Sequence, residues 1–218
     1  RYSGIQPHDI ENKWSNPAKV TFVWRDDRCW SPLPPWAIIE DYLDERLPLN
    51  IKSNDYLSLI GSHLDAIARQ IQRRKLLAFE SSLREQVSTL DFAVAGIAES
   101  GGLPDRITDL RIESPSDADE RHLCERYAES SVVVGIHGSN MILPSAHAGA
   151  AVELVPDRRW GNVLQDLVVR QPDAYEAVYH TRLLSLDTSP DSLAAWIRSL
   201  IADRDRFRST LPQSRYNQ

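Results

Sequence analysis

SVVVGIHGSNM, residues 131–141, is the stretch that decides the fold of this chain. Residues 131–134 are mostly β-branched and of strand length, and they lead into a turn that contains two glycines. A short, continuous apolar run bounded by a turn is typical of a strand buried on both faces, as in a parallel sheet. A short helix is predicted to follow the turn and to end near residue 148. The stretch therefore predicts a strand–turn–helix unit of an α/β domain.

Strand-like and helix-like patterns alternate along the rest of the chain. Apolar or β-branched runs of strand length occur at residues 20–24, 92–97, 107–112, 151–155 and near 178–186. Helical patterns occupy residues 55–87, 116–130, the region 162–169 and the segment that starts with Ser and Pro at positions 189 and 190. This alternation predicts a doubly wound, mostly parallel, Rossmann-like α/β sheet over residues 20–218, after an N-terminal arm or linker over residues 1–19.

Composition and charge argue against several classes of function. A net charge of -6 speaks against a nucleic-acid partner, which usually requires a basic surface. No run approaches the roughly 20 apolar residues of a membrane span, and no signal peptide is visible. Cys29 and Cys124 are too far apart in sequence to suggest a disulfide framework or a zinc site, and both are interpreted as reduced. We expect a cytoplasmic protein with no cofactor and, from the spacing of its histidines, no bound metal.

Residues that suit anion binding follow several of the predicted strands. In a doubly wound sheet, ligands bind beyond the carboxyl ends of the strands, so the residues delivered there are candidates for a site. The glycines of the 135–140 turn allow close backbone approach, and Ser139 or Asn140 is expected to cap the next helix, whose N–H groups and dipole attract anions such as a diphosphate. The candidate ligand-binding residues are Arg25, Arg28, Ser100, Gly135, His137, Gly138, Ser139, Asn140 and Glu153.

Each of these features also has a purely structural interpretation. The turn is compatible with a tight strand-to-helix connection that binds no ligand, because one Gly-x-His-Gly is a weak motif. His137 is a candidate phosphate donor or general acid/base, or else a histidine hydrogen-bonded to backbone. Glu153 interrupts an apolar strand and needs a partner, either a ligand hydroxyl or a structural arginine. Arg25 is either a bidentate phosphate clamp or the partner of a carboxylate, for which the candidates are Asp26, Asp27 and Glu40.

Several segments resemble the C-terminal part of the family 61-type glycosyltransferases. Residues 132–141 (VVVGIHGSNM) are similar to the family's hydrophobic strand and its Gly-x-His-Gly-Ala/Ser turn. Residues 150–156 (AAVELVP) are similar to the later strand that carries a Glu and ends at a Pro. Residues 127–130 and the strand at 20–25, which ends in Arg25, resemble the family's helix end and first strand. The resemblance spans most of the chain, and the first two segments carry its specific features.

The resemblance implies the donor-binding half of a GT-B fold, in which a Rossmann-like nucleotide-sugar-binding domain is paired with a second domain. It implies transfer of a sugar from a nucleotide-activated donor to a glycan or other acceptor such as a protein, without a metal, as in polysaccharide biosynthesis. The turn with a catalytic His137, together with Arg25 and Arg28, would hold the diphosphate, and Glu153 would face ribose or sugar hydroxyls. Positive side chains and helix ends would stabilise the leaving diphosphate.

Two departures from the family pattern bear on function. Ser139 and Asn140 stand where the family more often has Ala and Gly. One Rossmann-like half is visible, so the acceptor-binding N-terminal half is expected as a partner domain outside this chain. This chain alone would then bind donor without turnover. Two alternatives stay open. One is a non-catalytic nucleotide- or sugar-binding module that partners another chain, and the other is a sugar-nucleotide epimerase of the GT-B plan, which would need additional carboxylates in the cleft.

Overall fold

A computed structural model describes residues 17–33, 55–163 and 181–203 of the chain, apart from the side chains of residues 55–60 and of Asn162. Its strands are β1 (Ala18–Arg25), β2 (Leu90–Ile97), β3 (Thr108–Ile112), β4 (Val132–Ile136), β5 (Ala150–Val155) and β6 (Thr181–Ser185). They form one sheet in the order β3-β2-β1-β4-β5-β6, and every neighbouring pair is parallel. This is the strand order of a Rossmann-like fold, so the predicted fold class is confirmed.

Helices cover both faces of the sheet. They are α1 (Asp55–Gln86), α2 (Asp117–Glu129), α3 (Ile142–His147) and α4 (Pro190–Ala202), with 3-10 turns at Ser139–Met141 and Asp157–Asn162. The helix predicted at residues 162–169 lies almost wholly outside the described residues, as does most of the arm predicted at 1–19. β1 begins at Ala18, slightly before the predicted start at residue 20. Within residues 55–163 and 181–203, no helix is long and apolar enough to cross a membrane.

The main core lies between the sheet and the pair formed by α1 and α4. Alternate strand residues such as Phe22, Val94 and Val134 are fully buried on this face. They pack with Phe79 of α1 and Ile197 of α4. Burial of each such side chain contributes about 1.5–3 kcal/mol, so this layer holds the sheet and its strand ends in a fixed arrangement.

The opposite face of the sheet carries smaller residues and is covered by α2 and the segment around α3. Val23 and Ala95 pack there with Leu123 of α2 and with Met141. A Cβ atom at Gly135 would collide with Met141 Sδ and would lie 3.1 Å from Val23 Cβ. Gly135, predicted as a residue that lets a ligand approach, therefore serves here to let the 139–141 turn lie directly on the sheet.

The loop that follows β1 is anchored to α1. The backbone N–H of Trp30 donates to Gln72 Oε1 at 2.7 Å, and Gln72 Nε2 donates to the carbonyl of Arg25 at 3.4 Å. The Trp30 ring donates through Nε1 to the carbonyl of Leu186 at 3.0 Å and stacks on Phe22. Since Trp30 and Gln72 have no exposed surface, these contacts are protected from water and fix the course of residues 26–33.

β1 and β4 lie side by side at the centre of the sheet, with Val23 in register with Gly135. The strand order reverses between them, because β1 is followed by β2 on one side and β4 by β5 on the other. The connections that leave their carboxyl ends therefore diverge and open a crevice. Crevices at this position are where doubly wound proteins bind their ligands.

Candidate functional site

A cavity of about 410 Å³ opens at the carboxyl edge of the sheet, beside the point where the strand order reverses. Its wall is built from the loop after β1, the end of β4 with His137, and the segments that follow β5 and β6. The volume is within the roughly 300–1,000 Å³ of typical small-molecule sites. Four strand ends thus contribute to one concave surface, as the strand pattern alone had led us to expect.

Three arginines line this cavity, namely Arg28 from the loop after β1 and Arg158 and Arg159 after β5. Burial and the neighbouring Arg159 lower the pKa of Arg28 below its ordinary value, and Asp27 partly opposes this effect. Burial and Arg159 also lower the pKa of Arg158. The three guanidinium groups therefore repel one another in a partly desolvated space, and a bound anion would relieve that repulsion.

Arg28 packs directly on the turn after β4. Its Nη1 donates to Asn140 Oδ1 at 3.2 Å. Gly138 has a φ of 152°, and a Cβ atom at this position would collide with Arg28 Nη1. Gly138 was predicted to let a ligand approach its backbone, whereas the group that approaches it here is an arginine of the same chain.

His137 in the cavity wall and Glu153 behind it form a buried pair. The distance from His137 Nδ1 to Glu153 Oε2 is 2.7 Å, and the two side chains are 3% and 0% exposed. The sequence suggested a ligand hydroxyl or an arginine as the partner of Glu153, and the structure shows that His137 is a partner. Glu153 does not line the cavity, so its predicted position facing ribose or sugar hydroxyls is wrong. With Nδ1–H as donor, the carboxylate fixes the orientation of the ring.

Arg25 lies apart from this cavity. Its Nε and one Nη donate to the two carboxylate oxygens of Asp27 at 2.6 and 2.8 Å, which is a bidentate ion pair. Of the two interpretations of Arg25, the carboxylate partner is therefore the one that the structure contains. Arg25 lines a second, smaller cavity together with Ser139 and Asn140, so it does not share a wall with His137.

The turn at 135–140 departs from the predicted capping arrangement. The 3-10 turn Ser139–Met141 begins after Gly138, so neither Ser139 nor Asn140 is its cap residue. The Asn140 side chain instead accepts from Arg28 and donates to the carbonyl of Ile136 at 3.4 Å. The helix that follows, α3, has only six residues, which leaves little macrodipole. The positive potential at this edge comes mainly from the arginines.

Ser100 lies outside both cavities and is exposed. The glycine that follows it is held by β3, because Gly101 N–H donates to Asp109 at 2.8 Å and Arg111 donates to the Gly101 carbonyl at 2.6 Å. Arg73 of α1 also donates to the carbonyl of Gly102. Ser100 thus lies in neither cavity, and its predicted diphosphate contact stays a prediction.

Sequence reasoning missed Arg158, Arg159 and Asp187, all of which line the larger cavity. Arg158 and Arg159 follow a buried strand that ends at Pro156, which is the same arrangement that drew attention to Arg25. That pattern was available in the sequence. Asp187 follows β6 after a less regular apolar run, and its position beside the other residues depends on the sheet order, which no local pattern reveals.

Cys29 lines the larger cavity but is predicted to be chemically inert. Burial, followed by the nearby Asp26 carboxylate, raises the pKa of its thiol from 9.0 to about 12. Because the thiolate is the reactive form, its fraction near pH 8 falls roughly a thousandfold, and we expect comparably slow modification by a disulfide reagent. Stopped-flow thiol titration of the folded Cys124→Ala variant, in which Cys29 is the remaining thiol, measures this. The guanidinium-unfolded chain is the control and should react at once, whereas an equally fast folded chain would contradict the burial of Cys29.

No protein-family model, curated protein or solved structure matches this chain. The Rossmann-like architecture is shown by the order and direction of its six strands. The features of the larger cavity that bear most on a ligand are its three arginines and His137, which Glu153 holds from behind.

Proposed function

We propose that this chain is the nucleotide-sugar-binding domain of a glycosyltransferase. The observation that carries the proposal is the cluster of Arg28, Arg158 and Arg159 around one cavity, beside the point where the strand order reverses. Guanidinium groups bind phosphate oxygens in a bidentate manner, and two or three of them suit a diphosphate better than a single carboxylate. The volume leaves room for a sugar attached to that diphosphate.

In sugar transfer, the bond from the anomeric carbon to the diphosphate oxygen breaks, and a bond to an acceptor oxygen forms. Negative charge then develops on the departing diphosphate, where arginines fixed around the cavity would stabilise it. They would do so without a metal. The acceptor hydroxyl, on a glycan or a protein, loses a proton in the same process.

We assign His137 one of two roles. It either accepts this proton or stabilises the negative charge on the leaving group. It lines the cavity, and Glu153 holds its ring in one orientation from behind. A histidine oriented by a buried carboxylate is suited either to accept a proton or, as imidazolium, to donate a hydrogen bond to phosphate. In both roles Glu153 is a positioning residue.

An epimerase acting on a nucleotide sugar is the second candidate. Asp157 and Asp187 line the same cavity, and they are the kind of additional carboxylate that such an enzyme would need to move protons at the sugar. A non-catalytic module would use the same arginines and differ only in the lack of turnover. These possibilities are separated by products, since transfer or hydrolysis releases nucleoside diphosphate and epimerisation converts one nucleotide sugar into another.

The test is a panel of uridine, guanosine, adenosine and cytidine diphosphate sugars, incubated with the full chain and analysed by chromatography. We expect one of them to yield nucleoside diphosphate by slow transfer of its sugar to water, a side reaction that needs no acceptor-binding domain. His137→Ala should lower this rate by roughly a hundredfold or more, because it removes a general acid/base. His122→Ala, an exposed histidine on α2, is the matched control and should leave the rate unchanged.

Conversion of one sugar nucleotide into another would favour the epimerase. Binding without any conversion, also after addition of candidate acceptors, would favour the non-catalytic module. A rate that is equally insensitive to His137→Ala and to His122→Ala would remove His137 from the reaction.

A further inference from the structure

The second cavity, of about 150 Å³, lies between the carboxyl ends of β1 and β2, the helix α2 and the start of α3. Its wall is mostly apolar, and Ile97 and Leu143 on its border are 47% and 44% exposed. These two side chains give the concavity an apolar border that a bound group could cover. The volume is about half the roughly 300 Å³ at which sites for whole small molecules begin, so the cavity would hold part of a ligand.

The walls of the two cavities are joined by polar contacts. Arg28 belongs to the wall of the larger cavity and Asn140 to the wall of the smaller one, and they are hydrogen-bonded to each other at 3.2 Å. Asp27 also connects the two walls. Both of its carboxylate oxygens accept hydrogen bonds from Arg25, and its Oδ2 lies 3.8 Å from Arg28 Nε. A ligand that crosses this contact would occupy both cavities, and both adjoin the β1–β4 crevice that ligands cross in doubly wound sheets.

The charges of the smaller cavity differ from those of the larger one. Its cation, Arg25, is already neutralised by both oxygens of Asp27. A carboxylate, Glu120 of α2, lies on the wall. This combination disfavours a second phosphate and favours an uncharged ring whose hydroxyl groups donate to a carboxylate.

We propose that the smaller cavity binds the nucleoside end of the ligand whose diphosphate lies in the larger cavity. This inference rests on the function proposed above. The base would contact the apolar wall formed by Ile97 and Leu143, and the ribose hydroxyls would donate to Glu120. Glu120 thereby takes the role that Glu153, buried behind His137, does not fill.

The test compares inorganic pyrophosphate with uridine, guanosine and adenosine diphosphates by isothermal titration of the full chain. At least one nucleoside diphosphate should bind roughly tenfold or more tightly than pyrophosphate, because its base buries apolar surface. Ile97→Trp should fill the cavity and abolish this advantage while leaving the affinity for pyrophosphate unchanged. Ile67→Trp is the matched control, since Ile67 is 46% exposed on α1 and lines neither cavity.

Leu143→Trp, on α3, repeats the test with a second substitution if Ile97→Trp fails to fold by circular dichroism. A nucleoside advantage that survives in a folded cavity-filling variant would overturn the inference. Nucleoside diphosphates that bind no more tightly than pyrophosphate would also overturn it. In that case, binding of pyrophosphate would still support the proposed diphosphate site. Failure of wild-type chain to bind either probe would overturn both proposals.

Discussion

Replacing Arg28 and Arg159 together by glutamine should lower the affinity of the chain for inorganic pyrophosphate by roughly a hundredfold or more. Both side chains line the cavity from different strand ends, and each can donate charge-assisted hydrogen bonds to phosphate. Such bonds contribute about 1.5–3 kcal/mol each, so losing two of them removes most of the binding free energy of a small anion. Isothermal titration at low ionic strength measures the change directly.

The matched control is the pair Arg74→Gln and Arg121→Gln, two exposed residues on α1 and α2. It removes the same net charge from the protein but leaves the cavity intact. We expect it to change the pyrophosphate affinity by less than about threefold, since exposed charges beyond a Debye length are screened. Equal losses in the two double variants would mean that net charge, and not the cavity, attracts the anion.

Glu153→Ala should destabilise the fold by about 3–5 kcal/mol, because it leaves His137 buried without its carboxylate partner. The size of the effect follows from the burial of both side chains, which are 0% and 3% exposed. Water cannot replace the lost partner at such a position without rearrangement. Urea unfolding followed by circular dichroism gives the free energy of unfolding for comparison with the wild type.

Glu129→Ala provides the same substitution at the surface. Glu129 is 58% exposed and forms an ion pair with Lys19 at 2.7 Å. Exposed pairs of this kind contribute about 0–1 kcal/mol, so this variant should unfold almost like the wild type. If Glu153→Ala were equally mild, the His137–Glu153 pair would not be a structural element of the site and its role in orienting the imidazole would fail.

The strands could be predicted because their local patterns are strong. The run of valines at 132–134 admits few structures other than a buried strand, and β5 and β2 have the same character. The hydrophobic periodicity along α1 and the Ser-Pro start of α4 are also signals that can be found in the local sequence. The order of the strands is not local, because it depends on which apolar faces pack together across the whole domain. Alternation predicted a doubly wound sheet, and only the structure places β1 beside β4.

The site was harder to predict for the same reason. Glu153 was identified as needing a partner, but His137 is its partner because Gly135 and Glu153 are in register on adjacent strands, which puts the end of β4 beside that carboxylate. Arg25 and Arg28 are three residues apart in sequence and serve different cavities, since the chain turns between them. A sequence pattern shows which residues leave a strand end but not the direction in which each one turns.

If the arginine-lined cavity is a diphosphate site, as we propose, its arginine side chains report directly on the bound anion. Nitrogen-15 NMR of the arginine Nε–H groups, assigned with single Arg→Lys variants, can follow a titration with inorganic pyrophosphate. We expect saturable shifts for Arg28, Arg158 and Arg159, and none for the exposed Arg74 and Arg121. Shifts confined to exposed arginines, or no saturable shift at any of the three, would contradict it.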